Sequence, residues 1–121
     1  MLELVGVPYV EGGVDPAQGL DCFGVIRWVL NNELGMAVPD QPPSAAAWPR
    51  YVKVFRLPSL PKIQKYDILM FSDLIPGLVN HLGIMCSEAD FIHASSFCGG
   101  TVCEPLYRHE HNVIALGRPL L

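Results

Sequence analysis

The stretch Gly19-Leu-Asp-Cys-Phe-Gly-Val-Ile-Arg-Trp-Val-Leu30 constrains this chain more than any other. Val25, Ile26, Val29, Leu30 and Leu34 recur at three- and four-residue spacing, which predicts an amphipathic helix from about Cys22 to Leu34 with one buried stripe. Gly35 follows, where a left-handed residue ends a helix without steric cost. Cys22 falls in the first turn, where unpaired N–H groups and the positive end of the dipole favour an anion. A thiolate is such an anion, so this position is expected to lower the thiol pKa and prepare a nucleophile. A free cysteine on an apolar helix face is equally a small core residue. Position alone does not choose between the two.

A single striped helix needs a second layer to bury it, and the chain beyond residue 66 supplies one. Tyr66-Asp-Ile-Leu-Met-Phe71 is a short apolar run ended by Ser72-Asp73 and a Pro76-Gly77 turn. His81-Leu-Gly-Ile-Met-Cys86 and Phe91-Ile-His-Ala-Ser95 flank a polar turn at Ser87-Glu-Ala-Asp90, which predicts a hairpin. Thr101-Val-Cys-Glu104 and Asn112-Val-Ile-Ala-Leu116 complete a sheet of about five strands. Short turns between consecutive strands make antiparallel pairing the default. The expected class is α+β, with one helix first, a meander afterwards, and the helix packed on the sheet.

Residues 1–21 form a glycine-rich, extended lead-in, and residues 36–62 carry six of the eleven prolines (Pro39, Pro42, Pro43, Pro49, Pro58 and Pro61). The second segment reads as a surface excursion inside a single domain spanning 1–121, in which Ser44-Ala-Ala-Ala-Trp48 could begin a short helix with Ser44 as its cap. Half of the residues are apolar, and no uninterrupted apolar run approaches the roughly 20 residues of a membrane span. The net charge is −4 with no basic cluster, which argues against a nucleic-acid partner. Met1-Leu-Glu-Leu-Val lacks a basic n-region before an apolar h-region. We therefore expect synthesis in the cytoplasm without a signal peptide and, if the protein is exported, another route. A mean hydropathy of +0.30 is high for a small soluble domain, so part of its apolar surface is expected to lie under a partner.

Three polar residues carry the chemistry such a frame could use. His81 opens one predicted hairpin strand and His93 lies in the next, so the two rings can approach each other across the ladder. If the helix packs on the hairpin by its N-terminal end, Cys22 faces His81, which can take the thiol proton while His93 holds the His81 ring in the useful tautomer. Taken singly, His81 also reads as a solvated strand-end residue and His93 as a polar residue on an open sheet face. A second cluster, Cys98, Cys103, His109 and His111, has the spacing C-x4-C-x5-H-x-H and could supply four ligands to zinc. It lacks the paired C-x2-C signature, and two strand cysteines with two exposed histidines are the simpler reading. No metal or other cofactor is called for.

The motifs themselves resemble a known family. Pro8-Tyr-Val-Glu-Gly-Gly13 followed by Gly19-Leu-Asp-Cys-Phe-Gly24 resembles the opening signature of NlpC/P60 cysteine peptidases. Tyr66-Asp-Ile-Leu-Met-Phe71 resembles that family's GD strand, Asn80-His-Leu-Gly-Ile-Met85 its HVGIY strand and Phe91-Ile-His-Ala-Ser95 its FIHAS strand. The blocks are in family order over nearly the whole chain. Asp15-Pro-Ala-Gln-Gly-Leu-Asp-Cys22, Glu33-Leu-Gly35, Pro39-Asp40 and Gly117-Arg-Pro119 are most similar to the phage tail-assembly and tail-tip members.

The resemblance implies a papain-like fold and hydrolysis of peptidoglycan stem peptides at a γ-D-glutamyl bond to diaminopimelate. It further implies a virion tail component with other tail proteins as partners, acting on the cell wall. Cys22 would be the nucleophile, His81 the base and His93 the third, orienting residue. Tyr9 would stand beside the oxyanion site and Asp21 near a substrate amine. Tyr9 as a packing residue and Asp21 as a helix N-cap are the plain alternatives. Phe23, Tyr66 and Met85 depart from the family pattern without removing a reacting atom, so an active enzyme is expected. A catalytically dispensable tail component and the zinc module remain as alternatives.

Overall fold

Asp21 starts the only α-helix among the described residues, α1 (Cys22–Asn32), and a computed structural model describes residues 1–44, 46–73 and 77–120. One carboxylate oxygen of Asp21 accepts from the Gly24 N–H at 2.8 Å, which satisfies an otherwise unpaired donor of the first turn. The other accepts from the Gly12 N–H at 2.9 Å, so the same residue ties the glycine-rich lead-in to the helix start. At the far end Gly35 adopts φ +66°, and the Met36 N–H returns to the Leu30 carbonyl at 2.9 Å. The helix is therefore two residues shorter than its apolar stripe, with Leu34 packed on the core from beyond its end.

The lead-in forms a small hairpin of β1 (Val14–Asp15) and β2 (Gly19–Leu20). Among the described residues the main sheet has six strands: β3 (Val52–Arg56), β4 (Ile68–Phe71), β5 (His81–Met85), β6 (Asp90–Ser95), β7 (Gly100–Pro105) and β8 (Val113–Pro119). Their order is β3-β8-β4-β5-β6-β7, and every neighbouring pair is antiparallel. The expected meander holds from β4 to β7. The last strand departs from it, because β8 crosses back to lie between β3 and β4.

The sheet also has one strand more than expected, since β3 lies inside the Pro-rich segment. Pro49 and Pro58 flank β3 without interrupting it, and β3 pairs on one side only, where flanking prolines cost no ladder bond. The short helix expected to begin in Ser44–Trp48 with a Ser44 cap is instead a 3-10 turn at Trp48–Arg50, and no side chain caps it. Ser44 supports it through its carbonyl, which accepts from the Ala47 and Trp48 N–H groups at 2.9 and 3.1 Å. Part of that predicted helix, Ala45, lies outside the described residues, as does Pro76 of the predicted Pro76-Gly77 turn.

Two-residue alternation divides the sheet into two buried faces. Ile68 stands opposite Ile84, and Ile84 opposite Ile92, across three successive strands. These isoleucines and Ala94 pack against Val25, Ile26, Val29 and Leu30 of α1. Full burial of side chains of this size contributes about 1.5–3 kcal/mol each, which makes this layer the main anchor of the helix. Leu69, Phe71, Met85, Phe91, Leu106 and Val113 form a second core on the opposite face. β5 and β6 pair only at Ile84↔Ile92 and Met85↔Phe91. Towards His81 and Ser95 the ladder ends, and a cleft opens there.

Candidate active site

The cleft has a volume of about 500 Å³, and Tyr9, Cys22, His81 and His93 all line it. Each arrives on a different piece of backbone. Cys22 is the first residue of α1 and projects beside the Leu82 backbone, one residue past His81. Tyr9 is held in the lead-in, whose backbone runs along the outer edge of β7. There the Gly6 N–H donates to the Thr101 carbonyl, the Thr101 N–H to Val7 and the Tyr9 N–H to Gly99, each at 2.9 Å. Burial, then the nearby Cys22, push the Tyr9 hydroxyl pKa up.

His81 and His93 lie on the same side of the sheet. His81 Nε2 is 2.7 Å from His93 Nδ1. An aromatic floor fixes both rings: Phe71 lies 5.7 Å from His81, and Phe91 lies 4.9 Å from His93 and 5.4 Å from Phe71, centroid to centroid. Gly83, two residues after His81 on the same face of β5, leaves room for that floor; a Cβ there would come within 2.9 Å of Phe91 and 3.2 Å of Phe71.

Two further groups complete the cluster. His93 Nε2 is 2.5 Å from a carboxylate oxygen of Glu104 on β7, whose other oxygen is 3.3 Å from His109 Nε2. Burial opposes ionisation of Glu104, but the hydrogen bond from His93 and the proximity of the His109 and His93 rings outweigh it and hold its pKa below the usual carboxylate value. Sequence reading does not single out Glu104. Its position opposite Phe91, diagonal to His93, exists only once the β6–β7 register is set.

The electrostatics correct one expectation. The helix start predicts a lowered pKa for Cys22, and the structure raises it. Burial is the largest cause. The Leu82 backbone on β5 pulls the other way, the Asp21 charge raises it again, and the Phe23 and Cys22 N–H groups of the helix start lower it less. For the same reason His81 falls to about 4, through burial first and the proximity of His93 second. Both shifts favour the uncharged forms, the thiol at Cys22 and the neutral imidazole at His81.

Asp21 has both carboxylate oxygens committed to backbone N–H groups and does not line the cleft, whereas Asp73 does. The four residues weighed as zinc ligands are not gathered. Cys103 Sγ sits 3.9 Å from Cys86 Sγ, and His109 faces Glu104. No group of three or more His, Cys, Asp or Glu side chains is arranged to hold a metal ion among the described residues. Tyr66, which stands where the resembled strand has glycine, adopts the left-handed φ +74°. Its hydroxyl donates to Glu33 at 3.0 Å, so the turn keeps its shape with a tyrosine in it.

Comparison with known proteins gives these features a family. The NlpC/P60 family model matches residues 6–113. The gamma-DL-glutamyl hydrolase of Bacillus subtilis is 33% identical over 91 residues, covering 75% of this chain and 21% of that protein. A probable endopeptidase of Haemophilus influenzae is 30% identical over 100 residues, covering 83% of this chain and 57% of that protein. The chain thus spans less than two thirds of the length of either relative. Among solved structures, the NlpC/P60 domain of peptidoglycan hydrolase SagA superposes with a TM-score of 0.65 at 22% identity, over 95% of this chain and 89% of that one. A lipoprotein-like NLP/P60 protein of Staphylococcus aureus superposes with a TM-score of 0.71 at 23% identity, over 99% of this chain and 39% of that one. The helix on an antiparallel sheet, the motif order and the match over residues 6–113 make this chain a member of the NlpC/P60 family.

Proposed function

We propose that this chain is a cysteine endopeptidase that hydrolyses peptidoglycan stem peptides at a γ-D-glutamyl-diaminopimelate type bond. The observation that carries the reading is the convergence of the Cys22 thiol and the hydrogen-bonded His81–His93 pair on one cleft. The names of the relatives, a gamma-DL-glutamyl hydrolase and a peptidoglycan hydrolase, support the substrate class.

In this mechanism the neutral Nδ1 of His81 takes the Cys22 proton as sulfur attacks the amide carbonyl. Backbone N–H groups at the start of α1 and the Tyr9 hydroxyl stabilise the tetrahedral oxyanion, each good donor contributing about 3–4 kcal/mol. The imidazolium, held by His93, protonates the leaving amine, and water then releases the acyl group from Cys22. Because Cys22 is half-buried and its burial favours the neutral thiol, charge separates as substrate closes the cleft. Asp73 is the carboxylate that faces the cleft and suits a substrate amine; Asp21 supports the same end indirectly, by fixing the helix start.

Purified protein incubated with γ-D-Glu-diaminopimelate peptides should release the diaminopimelyl fragment, and Cys22→Ala should abolish this. Equal turnover by both proteins, or none by either, rejects the reading. We also assign the protein to a phage tail, on the similarity of residues 15–22, 33–40 and 117–119 to tail-assembly and tail-tip members. In that setting it acts on the cell wall and contacts other tail proteins. Mass spectrometry of purified virions decides this point: the chain co-purifies with tails, or the assignment fails.

A further inference from the structure

Glu104 makes and breaks no bond in the hydrolysis, yet it contacts the His81–His93 pair directly. We propose that Glu104 is a positioning residue that dictates the tautomers of His93 and, through it, of His81, so that the basic nitrogen of His81 faces the Cys22 thiol. The proposal rests on the hydrolytic reading for its consequence but not for its geometry.

The site is a chain of donors and acceptors. An ionised carboxylate can only accept, so His93 must present its proton at Nε2, 2.5 Å from Glu104. A neutral His93 then has a lone pair at Nδ1. That nitrogen is 2.7 Å from His81 Nε2, which must donate to it. Neutral His81 is left with its lone pair at Nδ1, the ring nitrogen not engaged by His93. Each link permits one arrangement, and the whole sequence is set by the carboxylate at its end. If Glu104 donated instead, every proton would shift by one nitrogen, and His81 would present N–H where a base is required.

The carboxylate is itself held in place. His109 Nε2 lies 3.3 Å from its second oxygen, and the His109 ring packs edge-on against Phe91 at 5.5 Å, on the same floor that carries His93. Glu104 therefore bridges two imidazoles. Its backbone is locked opposite Phe91 in the β6–β7 ladder. This arrangement supplies a fixed acceptor where a solvent-facing glutamate would rotate freely.

The test uses Glu104→Gln, which matches glutamate in shape but offers an amide that can donate, and Glu104→Asp, which keeps an acceptor-only carboxylate. The full chain is labelled with 15N-histidine, and long-range 1H–15N spectra are recorded near pH 7 alongside steady-state kinetics on a γ-D-Glu-diaminopimelate peptide. In the wild type, His81 and His93 should both be Nε2–H tautomers. In Glu104→Gln the Nδ1–H form should appear at both rings, with kcat falling about 100-fold or more and KM changing little, the pattern of a base in the wrong tautomer. Glu104→Asp should restore the wild-type tautomers and part of kcat. Unchanged tautomers in Glu104→Gln overturn the proposal whatever the kinetics do. Tautomers that shift as expected in a protein whose wild type hydrolyses nothing leave the positioning role standing and remove the hydrolytic reading.

Discussion

Asp67 and Arg118 form a two-point ion pair between the start of β4 and the end of β8, with Nε donating to Oδ1 at 2.9 Å and Nη2 to Oδ2 at 2.8 Å. Asp67 is wholly buried, and its second oxygen also accepts from the Gln64 N–H at 2.9 Å. Arg118 further donates to the Lys62 carbonyl at 2.9 Å. The pair stitches the returning strand β8 to the centre of the sheet.

Removing the cation alone leaves a carboxylate without its charge partner in an apolar layer. Arg118→Met should therefore destabilise the fold by about 2–4 kcal/mol, measured by urea unfolding at pH 7. The double variant Asp67→Asn with Arg118→Met should recover part of that loss. A change below about 0.5 kcal/mol, the scale of an ordinary surface substitution, would mean the pair contributes nothing.

Gly24 sits where the helix start meets the lead-in, and a Cβ there would come within 2.0 Å of the Gly13 carbonyl oxygen. Backbone cannot yield as a flexible side chain does. Gly24→Ala should cost about 2 kcal/mol or more and displace the start of α1. Turnover should fall with it, because Cys22 and the Asp21 cap lie on the same turn. Thermal unfolding together with peptide hydrolysis checks both effects.

The half-buried thiol predicts a pH profile. Burial disfavours the thiolate, so labelling of Cys22 by iodoacetamide should rise with a midpoint above the ordinary cysteine value, about 8.5. A midpoint below about 7, the range of thiols paired with an imidazolium, would instead mean that a thiolate is already formed at rest. The neutral thiol and neutral imidazole would then be refuted.

His81 links acidity to stability. Its folded pKa of about 4 lies below the ordinary value of 6.5, so protons bind the unfolded chain more tightly. The contribution is fully present above about 6.5 and is lost as pH falls through that value towards 4. Glu104, whose pKa is also depressed, adds a loss that begins at lower pH, as its carboxylate protonates. Urea midpoints between pH 7 and 4 should decline less in His81→Gln than in the wild type. Parallel declines would show that His81 is not the group responsible.

Much of the local structure is legible because it follows from spacing. The stripe Val25, Ile26, Val29 and Leu30 sets the helix face, and Gly35 turns the chain a short way beyond the helix end. The turn at residues 87–90 is visible in its polar residues, and Ser87 Oγ accepts from the Ala89 and Asp90 N–H groups there at 3.2 and 3.0 Å. Strand β3 is not legible, since Val52–Arg56 is short and bracketed by prolines that mask it. Nor is the place of β8, because a strand's own residues do not say which strands it will lie between.

By itself the sequence determined the types of most elements, the two faces of the hairpin, and which side chains had the chemistry to act, because periodicity and residue type are local properties. Only the tertiary structure decided that β8 returns to the middle of the sheet, that Glu104 meets His93, and that Cys22 holds a raised rather than a lowered pKa. Those outcomes depend on register between distant strands and on how completely water is excluded. Neither quantity is written in any one segment of the chain.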